Sequence, residues 1–421
     1  DAARRKRTVV MAALKVAFEA SMQAEEWQSL PALAAELVAA SQGLGGRARI
    51  EALLYEGMAL RYHGNRDASA ERYRAALGIA RREQIPDQIV EAGTFLAGTL
   101  EALGRLDEAE AIARDTVELA ERVGDYSKLR ARPRTLLSEI HLSRGPWPEA
   151  LAGIEADTDG LDPHYRLTLW QVAASAVSRI QGRPSAGRVE RLVADSLADA
   201  ERAGCPRCRR EAQLVNAGSL ARVGRPAAAR ELLAAANATP TVPEPYVNDM
   251  RSWAEALLEP SPAAAEERLR QVIDACRRTG LHIDALWARI DLGRLLVELD
   301  PARAAAVLRE AGRDAAALGA ATQAQVADRL LRGLGQRTWR RSGAGSGPLD
   351  LTEREREVAR WVAAGASNAE IADGLFVSIK TVERHVSNLF AKFDVRNRTE
   401  LARAWAQLAP DGEAIAERRP D

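Results

Sequence analysis

The sequence predicts an all-α chain: a superhelix of helical hairpins, then a flexible linker, then a four-helix domain. Three observations predict it. Turn signals recur about every 40 residues across positions 1–335. Residues 336–350 turn basic and then rich in glycine and serine. Residues 351–408 carry helix caps and apolar stripes at helical spacing, followed by a polar tail over 409–421.

The hairpins come first. Glycine-anchored turns fall at Gly64-Asn65, Gly104-Arg105, Gly145-Pro146, Gly182-Arg183 and Gly224-Arg225, spaced by 40, 41, 37 and 42 residues. Turns at Glu259-Pro260 and Asp300-Pro301 continue the period without glycine. Seven residues before each glycine sits a small residue (Gly57, Ala97, Ser138, Ser175, Ala217), and five after it another (Ser69, Ala109, Ala150, Gly187, Ala229). Antiparallel helices approach closely only where side chains at their crossing are small. The pattern resembles tetratricopeptide repeats, in a longer form than the usual unit of about 34 residues. That resemblance implies a stacked superhelix with a concave groove for an inducer or a protein partner. Trp27, Trp147, Trp170, Trp253 and Trp287 sit where a ring can fill the wedge between hairpins, as core plugs or as groove contacts. The proline-rich run from Pro240 to Pro245 reads as a spacer.

The linker follows. Arg329, Arg332, Arg337, Arg340 and Arg341 make a basic stripe without an acid over 329–341. The run Arg341 to Pro348 is flexible by composition, with a reach of roughly 15 Å. It tethers the last domain rather than fusing it rigidly.

In that domain, Thr352-x-x-Glu355 and Ser367-x-x-Glu370 are capping boxes, each opening a helix. Val358, Trp361 and Val362 face inward on the first helix, and Gly365 suits its end. Ile371, Ala372 and Leu375 face inward on the second. Phe376-Val377 turns the chain, and Ser378 caps a long third helix. There Val382, Val386, Leu389 and Phe393 form one apolar stripe, while Lys380, Arg384, Ser387, Asn388 and Ala391 lie opposite. Two helices joined by a tight turn, the second amphipathic with cations, an amide and a hydroxyl outward, is the helix-turn-helix pattern of a DNA major-groove reader. A fourth helix spans about Thr399 to Leu408.

More than fifteen positions resemble the LuxR-type DNA-binding domain in order. They run from Leu351-Thr352 with Arg354, Glu355, Glu357 and Val358, through Gly365, Ser367, Asn368 and Glu370 to Ala372. They continue through Val377, Ser378, Lys380 to Val382, His385 and Val386, and end at Lys392, Phe393, Val395 and Arg398. The resemblance implies that Glu383, Arg384 and Ser387 face bases and that Lys380, Thr381, Asn388 and Lys392 hold phosphates. It places Leu401 and Trp405 at a dimer seam. It implies double-stranded DNA, RNA polymerase and a second copy of the chain as partners. Joined to long helical repeats, the domain resembles large ATP-binding LuxR-family regulators of the maltose-regulator type. No cofactor is expected in this chain, and ATP belongs only to a preceding domain absent here. The chain starts at Asp1, which reads as a piece of something longer.

Charge sets no global bias: Lys plus Arg and Asp plus Glu are 59 each, so the expected DNA binding is local and salt-dependent. Residues 378–392 carry three cations against one acid. Arginine dominance over lysine and abundant alanine suggest a GC-rich bacterial genome. Three cysteines suit a reducing cytosol, and no stretch is long enough to span a bilayer, so a cytoplasmic, nucleoid-associated, membrane-free protein is expected. Arg4 to Arg7 precede a short apolar run that Lys15 and Glu19 break, which argues against a signal peptide.

No phosphate loop and no nucleophile–base pair is legible, so an enzyme is not expected. His63, His141, His164, His282 and His385 show no metal-ligand spacing and read as surface or packing residues. Cys205-Pro206-Arg207-Cys208 is the one temptation; it reads as structural thiols or as a redox or metal switch, with Cys276 about two repeats away. The function expected is a DNA-binding transcription regulator, an activator whose repeats sense a signal. The alternative is a helical-repeat scaffold with little DNA binding.

Overall fold

The computed structural model describes the backbone of residues 2–122, 127–145, 147–156, 161–238, 245–335, 353–375, 378–393, 395 and 397–408. The flexible-linker reading, residues 240–244 of the proline-rich spacer, the Thr352 cap, the Phe376-Val377 turn and the polar tail lie outside the described residues. The chain divides into two compact units, residues 1–337 and 338–421. Among the described residues every regular element is a helix, and none is long and apolar enough to cross a membrane.

The first unit pairs α1 (Ala2–Gln23) with α2 (Leu30–Ser41), α3 (Gly46–Tyr62) with α4 (Arg66–Arg82), and α5 (Pro86–Ala102) with α6 (Leu106–Arg122). It continues with α7 (Ser127–Arg144) and α8 (Trp147–Ala156), α9 (Pro163–Gln181) and α10 (Ala186–Ala203), then α11 (Pro206–Arg222) and α12 (Pro226–Asn237). Next come α13 (Pro245–Leu258) and α14 (Pro262–Arg278), then α15 (His282–Leu299) and α16 (Pro301–Ala317), with α17 (Ala321–Gly333) closing the stack. Each helix packs on its sequence neighbour, as in a tetratricopeptide-like solenoid.

The turn and crossing chemistry explains why these segments are hairpins. The five turn glycines have φ between 68° and 78°, a region closed to most L side chains. At the crossing of α3 and α4, a Cβ on Gly57 would lie 2.4 Å from the Tyr73 ring. Ser69 Oγ donates to the Gly57 carbonyl at 2.8 Å across the same crossing. Ala97 with Ala109, and Ala217 with Ala229, are fully buried at the equivalent places. The α9–α10 hairpin departs from the pattern. A 3-10 turn over Arg183–Ser185 delays the start of α10, so Ala186 is buried there and Gly187 is exposed.

The solenoid winds tightly enough that distant hairpins meet. Arg66 Nη1 donates to the Thr279 carbonyl at 2.5 Å. His282 Nδ1 lies 3.1 Å from the Leu103 carbonyl. Gln323 bonds Ser143 across 180 residues of sequence. Trp27, Trp253 and Trp287 are buried. Trp147 and Trp170 are half-buried against the same core, and Trp170 Nε1 donates to Asp199 at 3.1 Å.

The second unit consists of α18 (Glu353–Ala363), α19 (Asn368–Gly374), α20 (Ile379–Phe393) and α21 (Arg398–Leu408). Its core is Val358, Ala359, Val362, Ile371, Ala372, Val382, Val386, Leu389 and Leu401, with Trp361, Phe393 and Trp405 at the edge. The Ser367–Glu370 capping box is formed on both sides, with bonds of 3.3 and 2.7 Å. At Gly374 an added Cβ would lie 2.8 Å from the Trp361 ring, so α19 sits directly on the indole of α18.

Candidate nucleic-acid interface

The second helix of the small domain is braced at both ends by arginines of neighbouring helices. Arg354, on α18, donates to the Leu375 carbonyl at 2.5 Å, bracing the start of the turn between α19 and α20. Arg398, on α21, donates to Asn368 Oδ1 at 3.0 Å and also to the Ala366 carbonyl, bracing the opening of α19. Asn397 caps α21, accepting from Glu400 N at 3.0 Å while its amide donates to the Glu400 carboxylate at 2.7 Å. Sequence reasoning grouped Arg354 and Arg398 with the motif but missed this bracing. An arginine with several donors satisfies carbonyls left open where helices end, which explains the residue type.

Ser378 opens α20: Thr381 N donates to Ser378 Oγ at 3.2 Å, and the two hydroxyls lie 2.8 Å apart. With Val382, Val386 and Leu389 buried, the opposite face must point away from the core. Lys380, Glu383, Arg384, Ser387 and Asn388 are all exposed there, and Thr381 is half-buried. The side chain of Lys392 lies outside the described residues. The face is two cations and one acid among neutral donors, over an α-helix of fifteen residues. A helix of this width fits a B-DNA major groove.

His385 occupies the flank of α20, half-buried. Burial, and then the neighbouring Arg384, lower its imidazole below the usual value. Leu401 corrects an expectation. It is fully buried in the core of its own domain, so its side chain is not available to a dimer seam. Trp405 is half-buried, with its ring 6.4 Å from that of Phe393.

The first unit has a second concave site. The first helices of successive hairpins, with Arg66 at the start of α4, line a cavity of about 440 Å3, and Glu101, Glu139, Arg179, Asp284 and Trp287 are on its wall. Burial, and then the nearby carboxylates of Glu139 and Asp284, push Glu101 up to about 8. Glu139 is also raised by burial. Next to the cavity, the guanidinium groups of Arg179 and Arg222 each lie 4.7 Å from the centre of the Trp253 ring. Asp291 accepts from Trp253 Nε1 at 3.0 Å and from Arg222 Nε at 2.8 Å.

The cysteine motif opens α11. Cys205 is the N-cap and accepts from Cys208 N at 3.3 Å, and its Sγ lies 2.7 Å from that of Cys208. His164, one repeat earlier, brings Nδ1 to 3.5 Å from Cys208 Sγ. The sequence alone reads His164 as a surface or packing residue; the signal for its approach is its offset of 41 residues from Cys205, one repeat period. Cys276 is elsewhere, in the main core. Burial, and then Cys205, push the Cys208 thiol up to about 12, so it is not a reactive thiolate at neutral pH.

The C-terminal unit is thus a helix-turn-helix domain, appended to a helical-repeat superhelix. Residues 349–405 match the family model "Bacterial regulatory proteins, luxR family", and this part of the chain is a LuxR-family helix-turn-helix domain. The chain is 35% identical over 120 residues to the transcriptional regulatory protein LiaR of Bacillus subtilis, covering 28% of this chain and 54% of LiaR. It is 56% identical over 63 residues to the transcriptional regulatory protein YhcZ of the same organism, covering 15% of this chain and 29% of YhcZ. The chain therefore spans about half or less of the curated relatives it matches. A solved Rap protein complexed with Competence and Sporulation Factor superposes with a TM-score of 0.57 at 14% identity, covering 70% of this chain and 82% of the Rap chain. At that identity the likeness is one of fold.

Proposed function

We propose that this chain is a sequence-specific DNA-binding transcription regulator whose superhelix controls the helix-turn-helix domain in response to an inducer or a protein partner. The observation that carries the reading is the outer face of α20. Lys380, Glu383, Arg384, Ser387 and Asn388 are exposed together on a helix whose other face is the core of a LuxR-family domain. On this reading Arg384 and Ser387 read base edges, and Glu383 accepts from a cytosine amino group. Lys380, Thr381, Asn388 and Lys392 hold phosphates and set register. Two copies bind half-sites about one helical turn apart, or a multiple of it, with Trp405 at the edge of their contact. The bound pair contacts RNA polymerase and activates transcription. The cavity of the superhelix, with charges of both signs and a tryptophan wall, takes the signal. The Rap protein of like fold, solved in complex with a factor, supports that role for a superhelix.

Selection from fragmented genomic DNA tests it, comparing the chain with its Lys380→Ala/Arg384→Ala variant. A two-fold-symmetric site enriched by the chain and lost in the variant is the expected outcome. Enrichment only by residues 349–410 alone would mean that the superhelix holds the domain off DNA until its signal binds. No enrichment by either would sink the DNA-reading role.

A further inference from the structure

The start of α11 and the start of α9 converge on a point that the DNA-binding function does not use. Pro206 is the first residue of α11, where its missing N–H costs nothing, and this leaves Cys205 as N-cap and Cys208 on the first turn. Asp162 caps α9 by accepting from His164 N at 2.9 Å, which fixes His164 on the equivalent turn of the preceding hairpin. The stacking of the hairpins then sets an imidazole beside two thiols. Among the described residues these are the one group of three potential metal donors, all within 4.8 Å of one another.

We propose that His164, Cys205 and Cys208 form a three-ligand zinc site on the rim of the superhelical cavity. The donor set is that of a tetrahedral zinc ion with one position left for water or a further ligand. A zinc–sulfur bond of about 2.3 Å gives a tetrahedral edge of roughly 3.7 Å. The separation of 3.5 Å between His164 Nδ1 and Cys208 Sγ is already close to that edge. The two sulfurs, at 2.7 Å, reach it by a small side-chain rotation of the half-buried Cys205. The inner side of the site is closed by Leu167, Ala200 and Ala212, packed around Cys208. The outer side is open, since His164 is exposed. His164 and Cys208 both line the cavity, as does Glu211 one turn further along α11, so the fourth position faces the space where a signal would bind. Binding replaces two thiol protons by the metal and releases them to the buffer. The site joins two hairpins through their helix starts, and so stiffens the stack where its groove opens.

The test uses the whole, tag-free, fully reduced chain, titrated with cobalt(II) and then zinc. One cobalt per chain, with a sulfur-to-cobalt charge-transfer band that zinc abolishes, is expected. Cys205→Ser should lose the band while the chain keeps its helical circular dichroism. His164→Ala should weaken binding at least about 10-fold, as removal even of an outer partner of a ligand commonly does. Cys276→Ala should change nothing, because Cys276 lies in a different core. Zinc should raise the thermal midpoint of the parent chain and not of Cys205→Ser. No charge-transfer band in the reduced chain would overturn the proposal. So would binding unchanged in His164→Ala, or an oxidised chain that loses two thiols while the reduced chain binds no metal, which would make the pair a redox couple instead.

Discussion

The two units handle charge differently. In the small domain Glu355 is the one buried charged residue among those described, and the polar groups of α20 face outward with Lys380, Glu383, Arg384, Ser387 and Asn388 exposed. In the superhelix, charges are carried inside. Arg222 and Asp291 are both buried and bonded at 2.8 Å, and Arg166 holds the buried Asp199 through two bonds of 2.5 and 2.6 Å. Burial drives the Arg222 guanidinium down to about 10, with Asp291 opposing. Burial also pushes Asp291 up, but Arg222 and Arg294 outweigh it and hold it below the ordinary carboxylate value. Buried ion pairs add little net stability yet penalise every arrangement that separates them. The contrast teaches where selection for shape operates: the superhelix uses polar groups to fix which hairpins meet, and the small domain keeps them for a partner.

The largest expected effect breaks the inward side of that contrast. Asp291→Ala strands Arg222 without its carboxylate and should cost about 3–5 kcal/mol in denaturant unfolding of the superhelix. Binding of DNA by residues 349–410 alone cannot change, and loss of stability below about 1 kcal/mol would show that the pair is not desolvated. Leu401→Ala removes a fully buried side chain from the other core and should cost about 2–5 kcal/mol. If Leu401 instead served a seam between copies, stability would hold and only cooperativity on DNA would fall.

Much of this was legible from the sequence, and unevenly. The hairpin period was readable because a tight turn and a close crossing each demand particular residues, and Gly57, Ser69, Ala97 and Ala109 supply them. The third helix of the small domain was readable because one stripe of Val382, Val386 and Leu389 fixes every other position on a helix. The shifted register at Gly187 was not, since Arg183-Pro184 can open an α-helix or a 3-10 turn with equal local chemistry. Leu401 was misplaced because an apolar residue on a terminal helix has the same pattern whether it faces its own core or a second copy. The approach of His164 to Cys205 and Cys208, like that of Arg66 to Thr279, depends on how the stack curves, and curvature is a sum over hairpins that no local window contains.

Two smaller effects sharpen the comparison. Gly57→Ala drives a methyl into the Tyr73 ring and should destabilise the superhelix by about 1–3 kcal/mol. An unchanged denaturation midpoint would mean that the α3–α4 crossing relaxes freely. Arg384→Ala should cost about 1–3 kcal/mol on the selected site and relax preference at the contacted base. Equal losses on specific and random DNA would assign Arg384 to the backbone instead.

In the cavity Glu101 is raised by burial and by the carboxylates of Glu139 and Asp284. Its carboxyl, at about 8 in the folded chain, sits above the unfolded value of about 4.3. Between those two values the folded state binds more protons than the unfolded one, so stability falls as pH rises through the interval and levels off above 8. Part of that fall is screened, because the side chain is half-buried and open to the cavity. Glu101→Gln keeps the shape and removes the titration. It should leave stability near pH 3.5 unchanged, raise it by about 1–2 kcal/mol at about pH 8.5, and flatten the profile between. A parallel profile, shifted by the same amount at both pH values, would mean that the glutamate is already ionised and solvated, and that the inward charges of the superhelix are matched here as well.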